Sequence, residues 1–182
     1  MKKIIVIISV FLCFSVVAQK DKRFKPGVEI IQVEKKSNYQ VPKSILIEFT
    51  GHTHSITYYK DLAKKLQKRF KRKSIKVDFN YSLSAENPFE SDLKKIPKRK
   101  LKKEGFESTL QITILPSKTP KDWLNYKDIN YRKTQYILVV KLDDKLTKEI
   151  IKITLNTHAY YTILTQNKKV SNTIVKILTE KN

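Results

Sequence analysis

The three histidines carry the sharpest chemical hint in the chain, because His52-Thr53-His54 follows directly on the apolar run Ile45 to Phe49. A His-x-His at the end of a strand can point two imidazoles toward one metal ion, as in metal-dependent hydrolases. Such a site needs more ligands. His158 is the remaining histidine, and Glu48, Asp61 and Asp78 are the candidate carboxylates. The chain is too short for the barrel that usually hosts the motif, so the competing reading is two loop histidines near a helix start. Nucleophilic catalysis has less support, since there are 3 glycines, no Gly-x-Ser-x-Gly elbow and no phosphate-cradling loop. The adjacent Asp143 and Asp144 read as a turn tip, where short carboxylates bond to nearby backbone. The sequence therefore assigns no catalytic residue and leads to no expected cofactor.

Charge is the second source of chemistry. The formal net charge is +21 over 182 residues, and removal of Lys2 and Lys3 leaves +19. A surface of this kind repels itself and attracts anions. Five of the 38 basic residues are Arg. Arg is the side chain suited to bidentate phosphate and base recognition, whereas Lys is a hydrated point charge, so the composition argues against sequence-specific nucleic-acid reading. Two explanations remain: an anionic envelope polymer or acidic protein partner, or the lysine, isoleucine and asparagine bias of an AT-rich genome. The candidate anion-binding residues are Lys64, Lys68, Arg69 and Arg72 in one cluster and Lys98, Arg99, Lys100, Lys102 and Lys103 in another. Trp123, Tyr126 and Tyr131 alternate with Lys127, Arg132 and Lys133, a pattern that can stack sugars or bases beside cations or simply pack a long connection.

The N-terminus indicates where such chemistry would operate. Met1-Lys2-Lys3 is followed by an almost wholly apolar stretch from Ile4 to Val17, and Val16 and Ala18 suit signal-peptidase cleavage before Gln19. The stretch is about 15 residues, short of the roughly 20 that span a bilayer. Cys13, the single cysteine, lies inside it behind the bulky Leu12, which argues against lipid attachment. The expected product is periplasmic or secreted, without a lipid anchor, and free of cysteine, so that disulfides and thiolate sites are excluded.

The elements that must position these residues follow from periodicity. Residues 19–43 read as a basic arm with a short alternating patch, Val28 to Val33, able to form an edge strand. Residues 44–182 read as one α+β domain. Ser44 to Thr50 is a continuous apolar run, the pattern of an interior strand. Tyr59, Leu62, Ala63, Leu66 and Phe70 recur at helical steps up to about Arg72, with Ser55 as a candidate N-cap and a cationic outer face. Ile75 to Tyr81 alternates as a half-buried strand. Residues 82–107 lose periodicity and read as a long, mobile, basic loop. Thr109 to Leu115, Thr134 to Leu142 and Glu149 to Leu164 read as a three-strand meander. Val170, Ile174, Ile177 and Leu178 suggest a closing helix capped by Ser171, with a strand as the alternative. The expected order is β-α-β-β-β-β-α: one mixed or antiparallel sheet with two helices packed on it.

Tyr136 to Lys145, leading into a second strand, and Asn172 to Leu178 at the end carry a resemblance. The chain from about Ile45 onward resembles small periplasmic envelope proteins of the LpoB and TolB N-terminal domain type. The resemblance implies a binding or accessory role and transfers no catalytic residue.

Overall fold

The run Ile45 to Phe49 becomes the core of β2 (Ser44–His52), and its neighbours explain its composition. β2 lies between β3 (Lys76–Ser84) and β4 (Ser108–Pro116) and is parallel to both. A strand flanked and covered in this way is apolar on both faces. Ile45, Ile47 and Phe49 point to one face and Leu46 to the other, and all four are fully buried. The structure, a computed structural model, describes residues 26–37, 39–84, 94–97, 100–116, 133–144, 149–160 and 162–180. β1 (Gly27–Lys35), β5 (Lys133–Asp144) and β6 (Ile151–Tyr160) complete a six-stranded mixed sheet of order β1-β6-β5-β4-β2-β3. Helices α1 (Ile56–Lys71) and α2 (Asn167–Thr179) pack on one face, giving the expected α+β architecture.

The meander β4-β5-β6 is antiparallel throughout and matches expectation. At the start, the sequence reading is corrected. The patch in the basic arm is a full edge strand, β1, paired antiparallel with β6 over Gly27 to Lys35 with a bulge between Ile30 and Gln32. The domain therefore begins before Ser44, and the order is β-β-α-β-β-β-β-α. The backbone bond from Lys36 N to Ile150 O at 3.1 Å extends the pairing past the strand end.

Of the two proposed helix caps, Ser55 holds the N-cap position without a side-chain cap bond, and Ser171 is not a cap. Ser55 is already in helical conformation, and its side chain makes no cap. A 3₁₀ turn, Thr53–Ser55, leads into α1 instead. α2 is likewise entered through a 3₁₀ turn, Ile163–Gln166, so Ser171 lies inside the helix and is fully buried. The closing segment is a helix and not a strand. At the far end of α1, Ser74 takes a left-handed conformation (φ 57°). Ile75 N bonds to Phe70 O at 3.1 Å and Ser74 N to Lys71 O at 3.1 Å. This is the Schellman pattern, in which a left-handed residue closes the last helical carbonyls.

The underside of α1 fixes it to the sheet. Ile56, Tyr58, Tyr59, Leu62, Ala63, Leu66 and Phe70 are all buried. The Tyr59 ring stacks on Phe49 at 4.7 Å. Its hydroxyl donates to Thr50 O at 2.7 Å and accepts from Ile114 N at 2.9 Å. It thus bridges β2 and β4 just where their pairing ends at Thr50 and Thr113. Gly51, at φ +117°, sits beside this bridge, and a Cβ there would lie 3.6 Å from the Tyr59 hydroxyl. A side chain would be strained in that backbone conformation whatever the space.

The second face of the sheet carries part of the supposed mobile loop, a further correction. Asn80, 1% exposed on β3, donates to Leu101 O at 2.9 Å and accepts from Leu101 N at 2.8 Å. The side-chain amide thus imitates a strand neighbour. Phe106 is buried, Glu107 accepts from Lys43 N at 2.7 Å, and Ser44 Oγ accepts from Glu107 N at 3.0 Å. Residues 100–107 are fastened at both ends of their length. Polar side chains that replace backbone partners give little periodic signal, and for that reason the segment read as a loop.

Candidate anion-binding face

α1 turns its unburied side outward, and there Thr57, Lys60, Asp61, Lys64 and Lys65 line a groove. Its other wall is made by Lys95, Leu164 and Thr165, from two segments far away in sequence. The groove is open to solvent and encloses about 630 Å³. Four lysines therefore line the groove, where Asp61 is the one carboxylate among the described lining residues. That carboxylate offsets one of the four: Asp61 bonds to Lys65 along the helix and also accepts from Asn167 Nδ2 at 2.8 Å. Partial burial pushes the Asp61 carboxyl up, but the hydrogen bonds from Lys65 and Asn167 outweigh it and hold the pKa below the ordinary value. Asp61 thus stays ionised and joins α1 to the start of α2. Among the described residues no carboxylate forms an ion pair with Lys60 or Lys64.

The structure divides the residues singled out from sequence. Lys64 and Lys68 are exposed on the outer side of α1, and Arg72 is exposed just past its end. Arg69 has a different environment. Its guanidinium donates to Ser171 Oγ at 3.0 Å, Asn172 Oδ1 at 2.8 Å and Lys168 O at 3.1 Å. These bonds latch α1 to α2 and use the fork geometry that distinguishes Arg from Lys. Lys100, Lys102 and Lys103 are exposed, but on the segment fastened to the second face. Lys103 Nζ lies 3.4 Å from Glu48 Oε2, and Glu48 also accepts from Ser82 Oγ at 2.7 Å. The two basic clusters are therefore not one surface. Lys98, Arg99, Trp123, Tyr126 and Tyr131 lie outside the described residues, as does the expected leader at 1–18.

No expected metal centre is assembled. His52 and His54 stack on each other with ring centroids 4.6 Å apart. His158 is on β6, with β4 and β5 between it and β2. Glu48 is engaged with Ser82 and Lys103, Asp61 lies on α1, and Asp78 lies on β3. Among the described residues no three His, Cys, Asp or Glu side chains gather as a metal site would require. Asp143 accepts from Glu149 N at 2.9 Å, the local backbone bond expected of a turn aspartate.

The sequence places Lys60, Lys64 and Lys65 on one cationic helix face but does not show that Lys95 joins them. The i, i+4 step from Lys60 to Lys64 was available as a signal, but Leu164 and Thr165 reach the groove only through tertiary packing.

Comparison with known proteins adds little to this geometry. No family model matches the chain, and no curated protein matches it. Among solved structures, the chain is similar to a dodecamer of a PelC point variant from Paraburkholderia phytofirmans, at 9% identity and a TM-score of 0.47. That likeness covers 85% of this chain and 98% of the other.

Proposed function

We propose that this chain is an exported, non-enzymatic accessory protein of the cell envelope that binds an anionic polymer or an acidic protein partner along the outer side of α1. The observation that carries the reading is the convergence of Lys60, Lys64, Lys65 and Lys95 on one groove beside the single, already bonded Asp61. Like charges gathered in such excess repel, and a bound polyanion relieves that repulsion. The hydroxyl of Thr57 adds a hydrogen-bond donor, and Leu164 adds an apolar contact. Lysines act as point charges without a fixed planar fork, so they suit a chain of repeated phosphates or carboxylates better than one rigid ligand. The resemblance to small envelope proteins and the leader-like N-terminus support the same compartment.

The test compares the triple variant Lys60→Gln, Lys64→Gln, Lys95→Gln with Lys100→Gln, Lys102→Gln from the second face. Salt elution from an immobilised anionic envelope polymer should fall markedly for the first and only slightly for the second, with a shallower salt dependence for the first. Equal elution of both variants sinks the reading. Compartment is read separately, since the exported fraction should begin at Gln19 by mass.

A further inference from the structure

The two ends of the sheet differ in character. Three of the four exposed large apolar side chains among the described residues, Ile30 (50%), Ile31 (53%) and Val33 (41%), lie on the edge strand β1; the fourth, Leu115, is on β4. An edge of unpaired backbone groups with exposed apolar side chains is a template for another strand. Register with β6 assigns its faces. Val28, Ile30 and Val33 stand opposite Thr157, Leu155 and Ile153 on the helix-covered face, and Glu29, Gln32 and Glu34 belong to the second face. β1 thus carries Val28, Ile30, Val33 and Lys35 on one side and Glu29, Gln32 and Glu34 on the other, in a strongly cationic protein.

The opposite edge, β3, is apolar on the helix-covered face and carries one cation on the other. Val77 and Phe79 stand opposite Ile45 and Ile47 on the helix-covered face, while Lys76 and Asp78 belong to the second face. The directions also match. β3 is parallel to β2 and β4, and three successive antiparallel pairings lead from β4 through β5 and β6 to β1. β1 therefore runs opposite to β3. A second copy placed beside β3 in the same orientation presents its β1 antiparallel, with its helices on the same side of the extended sheet.

We infer that copies of this chain assemble head to tail by adding β1 of one to β3 of the next. Allowing for the bulge at Ile31, one register puts Glu34 opposite Lys76, Val33 opposite Val77, Gln32 opposite Asp78 and Ile30 opposite Phe79. Every such pair shares a face, and none opposes like charges. Directly opposed side chains are the unit of sheet stabilisation, and like charges at those positions are destabilising. The alternative, β1 pairing with β1 across a two-fold axis, is disfavoured by this rule: over the full strand it sets Glu29 opposite Glu34 twice. A head-to-tail contact uses two different edges, so it continues into a ring or an open filament. The net charge opposes assembly at long range, but salt of about 0.15 M screens it beyond about 8 Å. The inference is independent of the anion-binding reading, because neither edge belongs to the α1 groove.

Sedimentation velocity on the purified protein tests it. The wild type should form species larger than a dimer as concentration rises. Glu34→Lys and Lys76→Glu should each weaken association about tenfold or more, because each opposes like charges at the junction. An equimolar mixture of the two variants should restore assembly, since each then meets an opposite charge at both edges. Lys64→Gln serves as the control and should leave assembly unchanged. Thermal unfolding of each variant establishes that it is folded, and Ile30→Lys, at an exposed position, provides a second disruption of β1. A wild type that stays monomeric at every concentration overturns the inference. So does a strict dimer insensitive to Lys76→Glu, a mixture that remains dissociated, or full assembly by Ile30→Lys.

Discussion

Helix α1 and the segment 100–107 are two basic stretches held in opposite ways. α1 is fixed from beneath by apolar packing and by tyrosine hydroxyls, which leaves Lys60, Lys64 and Lys68 without any part in its attachment. Residues 100–107 have little apolar underside and are fixed by polar groups, chiefly the Asn80 amide on Leu101. In a chain this cationic, a run of lysines therefore says nothing about how its segment is attached. The polar groups that hold the two stretches come from other parts of the sequence.

High pH should break the comparison on the α1 side, with the largest effect. Burial pushes Tyr59 and Tyr136 up to about 12 and Tyr58 well above its ordinary value; Tyr136 donates to Tyr58 at 3.0 Å. A folded-state pKa above the unfolded one means that the native state holds its proton longer. Stability from these groups is complete below about pH 10 and is lost as pH rises through about 12. Two units correspond to about 2–3 kcal/mol for each of Tyr59 and Tyr136. Urea unfolding at pH 9 and at pH 11.5 should show a loss of several kcal/mol, smaller in Tyr136→Phe. Equal stability at the two pH values would mean that these hydroxyls do not hold α1 as described.

The corresponding break on the other side is Asn80→Ala. It removes one side chain but leaves two half-buried backbone groups of Leu101 without their partner, at a cost of about 2–3 kcal/mol. Amide exchange of Leu101 should quicken by orders of magnitude while amides of α1 keep their protection. Should α1 loosen equally, the two regions are one cooperative unit and the contrast fails.

Arg69→Ala should come next, at about 2 kcal/mol in unfolding free energy, because three charge-assisted bonds to α2 disappear. Its neighbour Lys68, exposed and with no bond to α2, should cost less than about 0.5 kcal/mol when replaced by Ala. Arg69→Lys separates geometry from charge. It keeps the cation but loses the fork, so it should recover only a part of the difference.

These residues also mark where the sequence was legible. β2, β3, α1 and the meander were readable because a buried face repeats with a period of two or 3.6 residues, as in Ile45, Ile47 and Phe49 or Leu62, Leu66 and Phe70. β1 was half legible: Val28 and Val33 alternate, but the bulge at Ile31 shifts the phase midway. One helix start was misread: Ser55 holds the N-cap position of α1 without a side-chain cap bond, whereas Ser171 has the chemistry of a cap at a position inside α2. The groove was legible only on its α1 side, as the cationic face that carries Lys60, Lys64 and Lys65. Arg69 and Lys64 look alike in sequence, and only the arrival of Ser171 and Asn172 separates the latch from the solvent-facing charge. Asn80 gave no signal because it belongs to a regular strand pattern and bonds to a residue 21 positions away.

The smallest expected effect tests whether the cations of the second segment matter to its attachment at all. Lys103 is the one that reaches a carboxylate, Glu48, at 3.4 Å, and its side chain is 64% exposed. An ion pair with one partner so exposed contributes about 0–1 kcal/mol, and salt screens it. Glu48, only 14% exposed, still accepts from Ser82 when Lys103 is replaced. Lys103→Gln should therefore lower stability by less than about 0.5 kcal/mol at about 0.15 M salt, and by nothing measurable at about 1 M. A larger and salt-insensitive loss would make Lys103 a buried-type anchor comparable to Asn80. The rule that lysines do not attach their own segments would then hold for α1 alone.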